Sequence, residues 1–531
     1  MPLNTSFIDI LKKETKRWGS LLLHVLLWSA CGKLSYSVPT DYAEADSVAP
    51  LYPDYTDITI PANIAPLNFA LLESQPTEVV AEFTGANGEG IVTGGGRSLK
   101  IDIDSTAWRT LLEQNRGKEI RVNVYGRFPS GWVKYRSHTL TVAEEDIDPY
   151  LSYRLIEPGY ELYRQVGLYQ RNLTNFDEKP IYENNRVYSD EDNHCVNCHN
   201  YQNYSTKNML FHVRAEHGGT IVARNGQVRK VQIKGDSILT AGVYPSWHPT
   251  LPLVAFSTNQ TGQAFHLYHD EKVEVQDVAS DLLLYDAERN EVSRVLADSA
   301  QFETFPCWSP DGKYLYYCTA FSPTQGMDIP DSLRQPRELA LFNRFFYDIR
   351  RIPYDAQAGR FGTSELVVDC AGRERSASFP RISPDGRYLL YAEGDYGQFH
   401  IWHRSSDLFV KDLQTDSIYA LTEANSPDVD SYHTWSSNCL WIVFSSRRMD
   451  GNYTRAFIAY FDHKGHAHKA FCMPQHDPEH NILLLKSYNV PELTRDAVDI
   501  SESDFRQCIY ETEGETAKYK TLNSKKIILC E

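Results

Sequence analysis

The sequence predicts a mainly β protein whose largest part is a β-propeller. Two observations support this prediction. A pattern of aromatic residue, tight turn and alternating strand recurs four times between residues 244 and 446, and short alternating segments separated by Gly-rich turns fill residues 51–146. With 42% hydrophobic and 12% aromatic residues, the 531-residue chain has enough apolar side chains for sizeable cores, and its length indicates two or three domains.

The charge balance argues against nucleic-acid binding. The chain carries 53 Lys and Arg residues against 70 Asp and Glu residues, which gives a net charge of −17. A polyanion such as DNA is repelled on average by such a protein. We therefore expect no nucleic-acid partner.

Residues 1–30 have the pattern of an export signal. A basic stretch from Lys12 to Arg17 precedes the apolar run Leu21–Leu27, which is too short to span a bilayer. The run ends at Ala30-Cys31 in a sequence similar to a bacterial lipobox, although Trp28 departs from the usual aliphatic residue. We expect a lipid anchor at Cys31 and a location in the periplasm or outer membrane of a Gram-negative cell. A plain secretory signal with an incidental Cys31 is the alternative.

After a linker at residues 31–50, residues 51–146 predict a small β-sandwich. The alternating runs Val79–Phe83 and Ile120–Val124 are typical of half-buried strands, and the glycines of 85–90 and 94–96 separate such runs.

The recurring pattern predicts propeller blades. Each copy consists of an aromatic residue, a Ser-Pro-Asp-Gly turn or its replacement, and an alternating strand. Pro and Gly fix such a hairpin, and the Asp side chain can hydrogen-bond the backbone of the turn. The copies are spaced by 61, 74 and 53 residues, measured between Trp247, Trp308, Ile382 and Trp435.

These copies resemble the propeller repeats of the TolB-like family. The resemblance covers roughly residues 209–473, and it departs from the family turn after Trp247 and Trp435. It implies a propeller of five to six blades, which we place at residues 207–480 with a C-terminal tail at 481–531. The strands at 210–214 and 219–223 predict a fifth blade. A sixth would draw on residues before the Cys-rich motif described next or on the tail after Pro474.

One motif carries specific chemistry. Cys195-Val196-Asn197-Cys198-His199 has the spacing of a c-type haem attachment site, in which two thiols bind the porphyrin and the histidine binds the iron. It lies in a Tyr- and Asn-rich segment, residues 147–206, for which we expect loops and short helices. The predicted cofactor is covalent haem c. A redox-active thiol pair and a zinc site are the open alternatives.

The second axial ligand of such a haem is open. Met209 is the favoured candidate, and His212 is the alternative. Arg214 alternates in phase with His212 on a strand, so it is a candidate partner for a haem propionate.

Three functions follow as hypotheses. The main one is electron transfer or redox sensing with a periplasmic or envelope protein partner. The second is a TolB-like envelope binding scaffold in which the haem is structural. The third is a haem enzyme with an open iron site. The sequence contains no hydrolase motif, and we expect no catalytic side chains.

Overall fold

The computed structural model describes residues 36–157, 165–184, 193–235, 238–266, 271, 273–296 and 301–520. The predicted export signal and Cys31 lie outside these ranges. None of the helices within them combines the length and apolar character needed to cross a bilayer.

The N-terminal domain consists of ten strands and one helix within the described residues. Its strands are β1 (Ala43–Val48), β2 (Leu51–Tyr52), β3 (Ile58–Ile60), β4 (Phe69–Leu71), β5 (Val79–Thr84), β6 (Gly90–Gly95), β7 (Lys100–Ile101), β8 (Glu119–Phe128), β9 (Gly131–Arg136) and β10 (His138–Val142). The helix α1 spans Ser105–Gln114.

These elements form two sheets around a common core. One sheet has the order β1-β9-β8-β10-β3, with β5 pairing β8 and β6 pairing β5, and the other has the order β2-β4-β7. Helix α1 begins at Asp104, whose carboxylate accepts the backbone N–H groups of Thr106 and Ala107. Trp108 of this helix is buried in the shared core, and its indole N–H donates to the carbonyl of Ile64.

The remaining strands form six further sheets in the part of the chain that the structure describes, and we number them along the chain. The first contains β11 (Tyr150–Ile156), β12 (Gly167–Asn172) and β13 (Glu178–Glu183); the second contains β14 (His194–Gln202), β15 (Ser205–Ala215), β16 (Gly219–Arg224) and β17 (Gln227–Gln232). The third contains β18 (Val243–Trp247), β19 (Leu253–Phe265), β20 (Val273–Asp286) and β21 (Glu291–Leu296).

The fourth sheet contains β22 (Gln301–Trp308), β23 (Tyr314–Phe321), β24 (Asp348–Asp355), β25 (Arg360–Phe361) and β26 (Glu365–Val368), with helix α2 (Asp331–Ala340) between β23 and β24. The fifth contains β27 (Ser376–Ile382), β28 (Tyr388–Gly394), β29 (Asp407–Asp412) and β30 (Ile418–Ala420); the sixth contains β31 (Asp430–Trp435), β32 (Trp441–Ser446), β33 (Arg455–Tyr460) and β34 (Phe471–Cys472).

The C-terminal region adds to three of these sheets. After helix α3 (His480–Leu483), strand β35 (Ser487–Thr494) pairs antiparallel with β11 and completes the first sheet. Helix α4 (Glu502–Glu511) follows, and then β36 (Glu515–Thr516) and β37 (Lys518–Tyr519) extend the second and third sheets by parallel pairing with β17 and β21.

The six sheets form a closed ring, which is the arrangement of a β-propeller. Six inner strands, one from each sheet, contact their neighbours around the ring: β35, β14, β18, β22, β27 and β31. A separate apolar core fills each gap between consecutive sheets, and the core between the sixth and first sheets continues into the N-terminal domain. The predicted propeller is therefore confirmed.

The region around the Cys-rich motif differs from the prediction. Residues 147–206 were expected to be loops and short helices, whereas they supply β11 to β14, and the propeller sheets begin at Tyr150 rather than at 207. Residues 481–531, expected to be a tail, supply the inner strand β35. A sheet assembled from segments more than 300 residues apart leaves no local repeat in the sequence.

The Ser-Pro-Asp-Gly turns have the hydrogen bonds expected of them. Ser309 Oγ donates to Asp311 Oδ1, and the backbone N–H of Tyr314 donates back to Ser309 Oγ. Gly312 adopts a φ of +70°, a conformation that glycine allows without strain.

A long hairpin lies over one end of the ring. Strands β19 and β20 extend beyond the other strands of the third sheet and reach the loop after β28. There the Tyr396 hydroxyl donates to Glu274 at 2.7 Å, and the backbone N–H of Arg404 donates to Glu271 at 2.8 Å. Lower on the same hairpin, the buried Tyr347 hydroxyl donates to Asp277 at 2.9 Å. These contacts join the hairpin of the third sheet to the fourth and fifth sheets.

Candidate functional site

A cavity of about 400 Å³ lies at the end of the channel opposite the hairpin. All six inner strands or the turns that follow them contribute to its wall. The lining residues are Cys198–Tyr201, Asn203, Tyr204, Tyr244–Trp247, Pro249, Cys307–Pro310, Phe379, Arg381, Ile382, Pro384, Tyr432–Thr434 and Val490–Glu492.

Six equivalent residues of the inner strands form a ring, here called the axial ring, and all of them except Phe305 line the cavity. Each occupies the same position in its inner strand, at a bulge in the pairing, and each has a positive φ between 47° and 53°: Cys198, Tyr244, Phe305, Phe379, Tyr432 and Val490. The rings of Phe305 and Phe379 lie 4.1 Å apart and those of Phe379 and Tyr432 lie 4.2 Å apart. Aromatic side chains from four sheets thus pack against one another in the middle of the ring. Cys198 and Val490 are smaller, so they leave the ring open on their side.

The residues two positions beyond the axial ring fasten the sheets together. The backbone N–H of Trp247 donates to Asn200 Oδ1 at 3.0 Å, and the backbone N–H of Trp308 donates to Ser246 Oγ at 3.1 Å. In the same way, the backbone N–H of Tyr201 donates to Glu492 Oε1 at 3.0 Å. Each of these bonds joins one inner strand to the next.

The predicted haem motif lies within this repeat, as part of inner strand β14. Cys198 and His199 line the cavity, whereas Cys195 is buried, pairs with Arg214 across the ladder and is not among the lining residues. An extended strand advances about 3.3 Å per residue, so residues three apart do not share one helical turn. The motif therefore lies in an extended strand and not in the loops and short helices expected for residues 147–206.

His199 is the most isolated polar side chain of the cavity wall. Its side chain is 1% exposed, and neither Nδ1 nor Nε2 has a hydrogen-bond partner. The nearest carboxylate is that of Glu492, whose Oε2 lies 3.9 Å from Nε2. Burial and the neighbouring Arg154 guanidinium lower the pKa of His199 to about 3, so the imidazole is neutral and can act as an acceptor or a metal ligand.

The two predicted axial ligands do not reach the cavity. Met209 is fully buried in the core between the first and second sheets. His212 lies on the other face of the second sheet, where Nδ1 is 2.9 Å from Thr220 Oγ1 and the ring packs against Phe256. Arg214 is exposed at the end of β15. The structure thus brings neither Met209 nor His212 together with His199.

The residues present fit a covalent haem only in part. His199 offers a free imidazole, and Cys198 offers one thiol at the cavity, but Cys195 and both predicted axial ligands are elsewhere. Within the described ranges, no group of three His, Cys, Asp or Glu side chains could hold a metal ion. A haem bound through both thiols therefore does not fit strand β14 as it stands.

Two charged residues of the cavity wall are not among the site residues predicted from the sequence. Arg381 and Glu492 are the lining residues with a formal charge. Burial raises the pKa of Glu492 to about 7. The hydrogen bond from the Tyr201 backbone, the charge of Arg381 and the hydrogen bond from Asn200 oppose that rise. Both residues follow the axial ring by two positions and stand directly after a proline, in Phe379-Pro380-Arg381 and Val490-Pro491-Glu492. The hydrophobic-Pro-x pattern of the inner strands was therefore the signal that could have located them.

No family model matches the chain, and no curated protein matches it. Among solved structures, the chain is similar to TolB from Acinetobacter baumannii, with 13% identity over 73% of this chain and 85% of that chain and a TM-score of 0.41. Prolyl oligopeptidase B from Galerina marginata is 12% identical over 75% of this chain and 53% of that chain, with a TM-score of 0.33. The chain spans about half the length of that peptidase.

Proposed function

We propose that the protein is an exported binding protein that holds a small ligand in the central cavity of its propeller. The observation that carries this proposal is His199, a buried imidazole with two unpartnered nitrogens in the wall of a cavity of about 400 Å³. Buried polar groups without partners are rare in folded proteins and mark sites where a ligand or water completes the hydrogen bonding. Pockets of this size are typical of small-molecule sites.

The wall is suited to a preformed site. Pro245 and Pro491 follow axial ring residues in the wall, and their fixed φ angles limit the freedom of the strands there. The bonds between inner strands hold the same segments in register. The polar contacts offered to a ligand therefore come from a few fixed side chains, chiefly His199, Glu492 and Arg381.

A second candidate function is that of a c-type haem protein. It is favoured by the Cys195–His199 motif and by the free nitrogens of His199. It requires Cys195 to move to the cavity, and it is for this reason that we rank it second. Bound haem would supply one-electron chemistry, and His199 would hold the iron.

The proposal includes a location in the cell envelope. The signal pattern of residues 1–30 supports export, and we propose that an acyl chain at Cys31 holds the protein at the envelope. A Cys31→Ala variant that stays in the membrane fraction would contradict the lipid anchor.

The test is to purify the protein from the envelope of a host that attaches haem c, and to examine it by native mass spectrometry and by a pyridine haemochrome assay after denaturation. The matched variant is Val490→Phe, which fills the open side of the axial ring and leaves the Cys195–His199 motif intact. We expect the wild type to carry a small molecule that is released on denaturation and is absent from Val490→Phe.

Two results would overturn the proposal. Haem that stays covalently bound after denaturation, and is lost in Cys195→Ala and Cys198→Ala, would establish the second candidate. A bound molecule retained in full by Val490→Phe would place the ligand outside the cavity.

A further inference from the structure

Arg381 is a cation of the cavity wall without a close ion-pair partner among the described residues. Its guanidinium lowers the pKa of Glu492, but the two groups are not within ion-pair distance. The guanidinium contacts the carbonyl of Pro380 at 2.9 Å and the thiol of Cys307. Within the described residues, no carboxylate lies within ion-pair distance of it. Guanidinium groups in protein sites typically bind carboxylates or phosphates through paired hydrogen bonds, so an unpaired one in a cavity indicates an anion.

Little negative charge surrounds Arg381 in the cavity wall. The chain as a whole carries a net charge of −17, yet the lining residues include one arginine and one glutamate. Glu492 already accepts hydrogen bonds from the backbone of Tyr201 and the side chain of Asn200. Its raised pKa, about 7, also lowers its negative charge at neutral pH, so it compensates Arg381 only in part.

The rest of the wall combines aromatic side chains with neutral polar ones, among them Asn203, Ser309 and Thr434. Trp247, Trp308 and Tyr204 line the cavity together with five of the six members of the axial ring. Aromatic walls favour a flat or apolar ligand body, and a few polar groups set its orientation.

We infer that the cavity binds a small organic anion, a carboxylate on an aromatic or apolar body, with the carboxylate on Arg381 and the body between the aromatic walls. This inference rests on the proposed function and names its ligand class.

The probes are benzoate and its uncharged analogue benzamide, titrated into the full-length protein while tryptophan fluorescence is recorded, since Trp247 and Trp308 line the site. We expect benzoate to bind at least about tenfold more tightly than benzamide. Arg381→Met should weaken benzoate binding by about tenfold or more and weaken benzamide binding by a smaller factor, so that the preference for benzoate is lost. The control is Arg360→Met, which removes a charge from the exposed outer strand β25 and should change neither.

The other outcomes separate the two proposals. Equal binding of benzoate and benzamide, lost in Val490→Phe, would overturn the anion inference and leave the cavity as the ligand site. Saturable binding that persists in Val490→Phe would overturn the assignment to this cavity. Absence of saturable binding of either probe at millimolar concentration would overturn the ligand class, and the proposed function would then be decided by the mass-spectrometric experiment alone.

Discussion

Single residues in this propeller serve both the fold and the cavity. Glu492 shows this most clearly, because one carboxylate oxygen accepts the bonds that join two sheets while the other lies 3.9 Å from His199. At the equivalent position of the third sheet, the neutral hydroxyl of Ser246 makes the same kind of bond. A buried carboxyl is thus used where a neutral acceptor would be sufficient for the fold.

This difference predicts a pH-dependent stability. The pKa of Glu492 rises from 4.5 to about 7 on folding, so the folded state favours the protonated form. Its contribution to stability is then greatest below pH 4.5 and is lost as the pH rises to about 7, by up to about 3 kcal/mol. Glu492→Gln keeps the acceptor oxygen and should remove this loss, which denaturant unfolding at pH 5 and pH 8 would measure.

The control for this prediction is Glu288→Gln, at an exposed position on the turn after β20. It should preserve the pH dependence of the wild type. The same slope in Glu492→Gln and the wild type would show that this carboxyl does not titrate as described.

At the scale of elements, the contacts of the turn after Trp435 explain why the repeat departs from its pattern there. After Trp435, Ser437 stands where the pattern has proline, and both its backbone N–H and its hydroxyl donate to the buried carboxylate of Asp148 at 2.6 Å. Asn438 takes the place of the turn aspartate, with Oδ1 accepting from Ser436 Oγ and from the backbone N–H of Leu440. The departure joins the sixth sheet to the segment that enters the first.

Restoring the repeat pattern should therefore destabilise the protein. Ser437→Pro removes a backbone donor to a buried carboxylate, and we expect a loss of about 2 kcal/mol or more in the free energy of unfolding. Ser437→Ala removes the hydroxyl alone and should cost about 1 kcal/mol. Urea unfolding of both variants would test this order, and a Ser437→Pro variant as stable as the wild type would contradict it.

At the scale of the whole molecule, the ring is closed by pairing the first strand of the propeller with a strand more than 300 residues later. Strand β35 pairs with β11 in the first sheet, and the core between the sixth and first sheets continues into the N-terminal domain. By contrast, β36 and β37 lie at the outer edges of the second and third sheets.

Two truncations should separate these roles. A chain that stops after Glu513 loses the outer strands and should keep the native circular dichroism spectrum. A chain that stops after Lys486 loses β35 and should not fold, because the first sheet lacks its inner strand and the ring is open. Limited proteolysis would provide a second measure, and a protease-resistant shorter chain would contradict the closure described here.

The propeller could be predicted from the amino-acid sequence alone, because each Ser-Pro-Asp-Gly hairpin is a local structure whose glycine and aspartate have fixed positions. The sequence also marked Cys198 and His199 as unusual. The three-dimensional fold was needed to place these residues in an inner strand, Met209 and His212 away from the cavity, and Arg381 and Glu492 in its wall. The physical reason is that the cavity is assembled from six strands spread over nearly 300 residues, and the bonds between them depend on a ring that closes through its two ends.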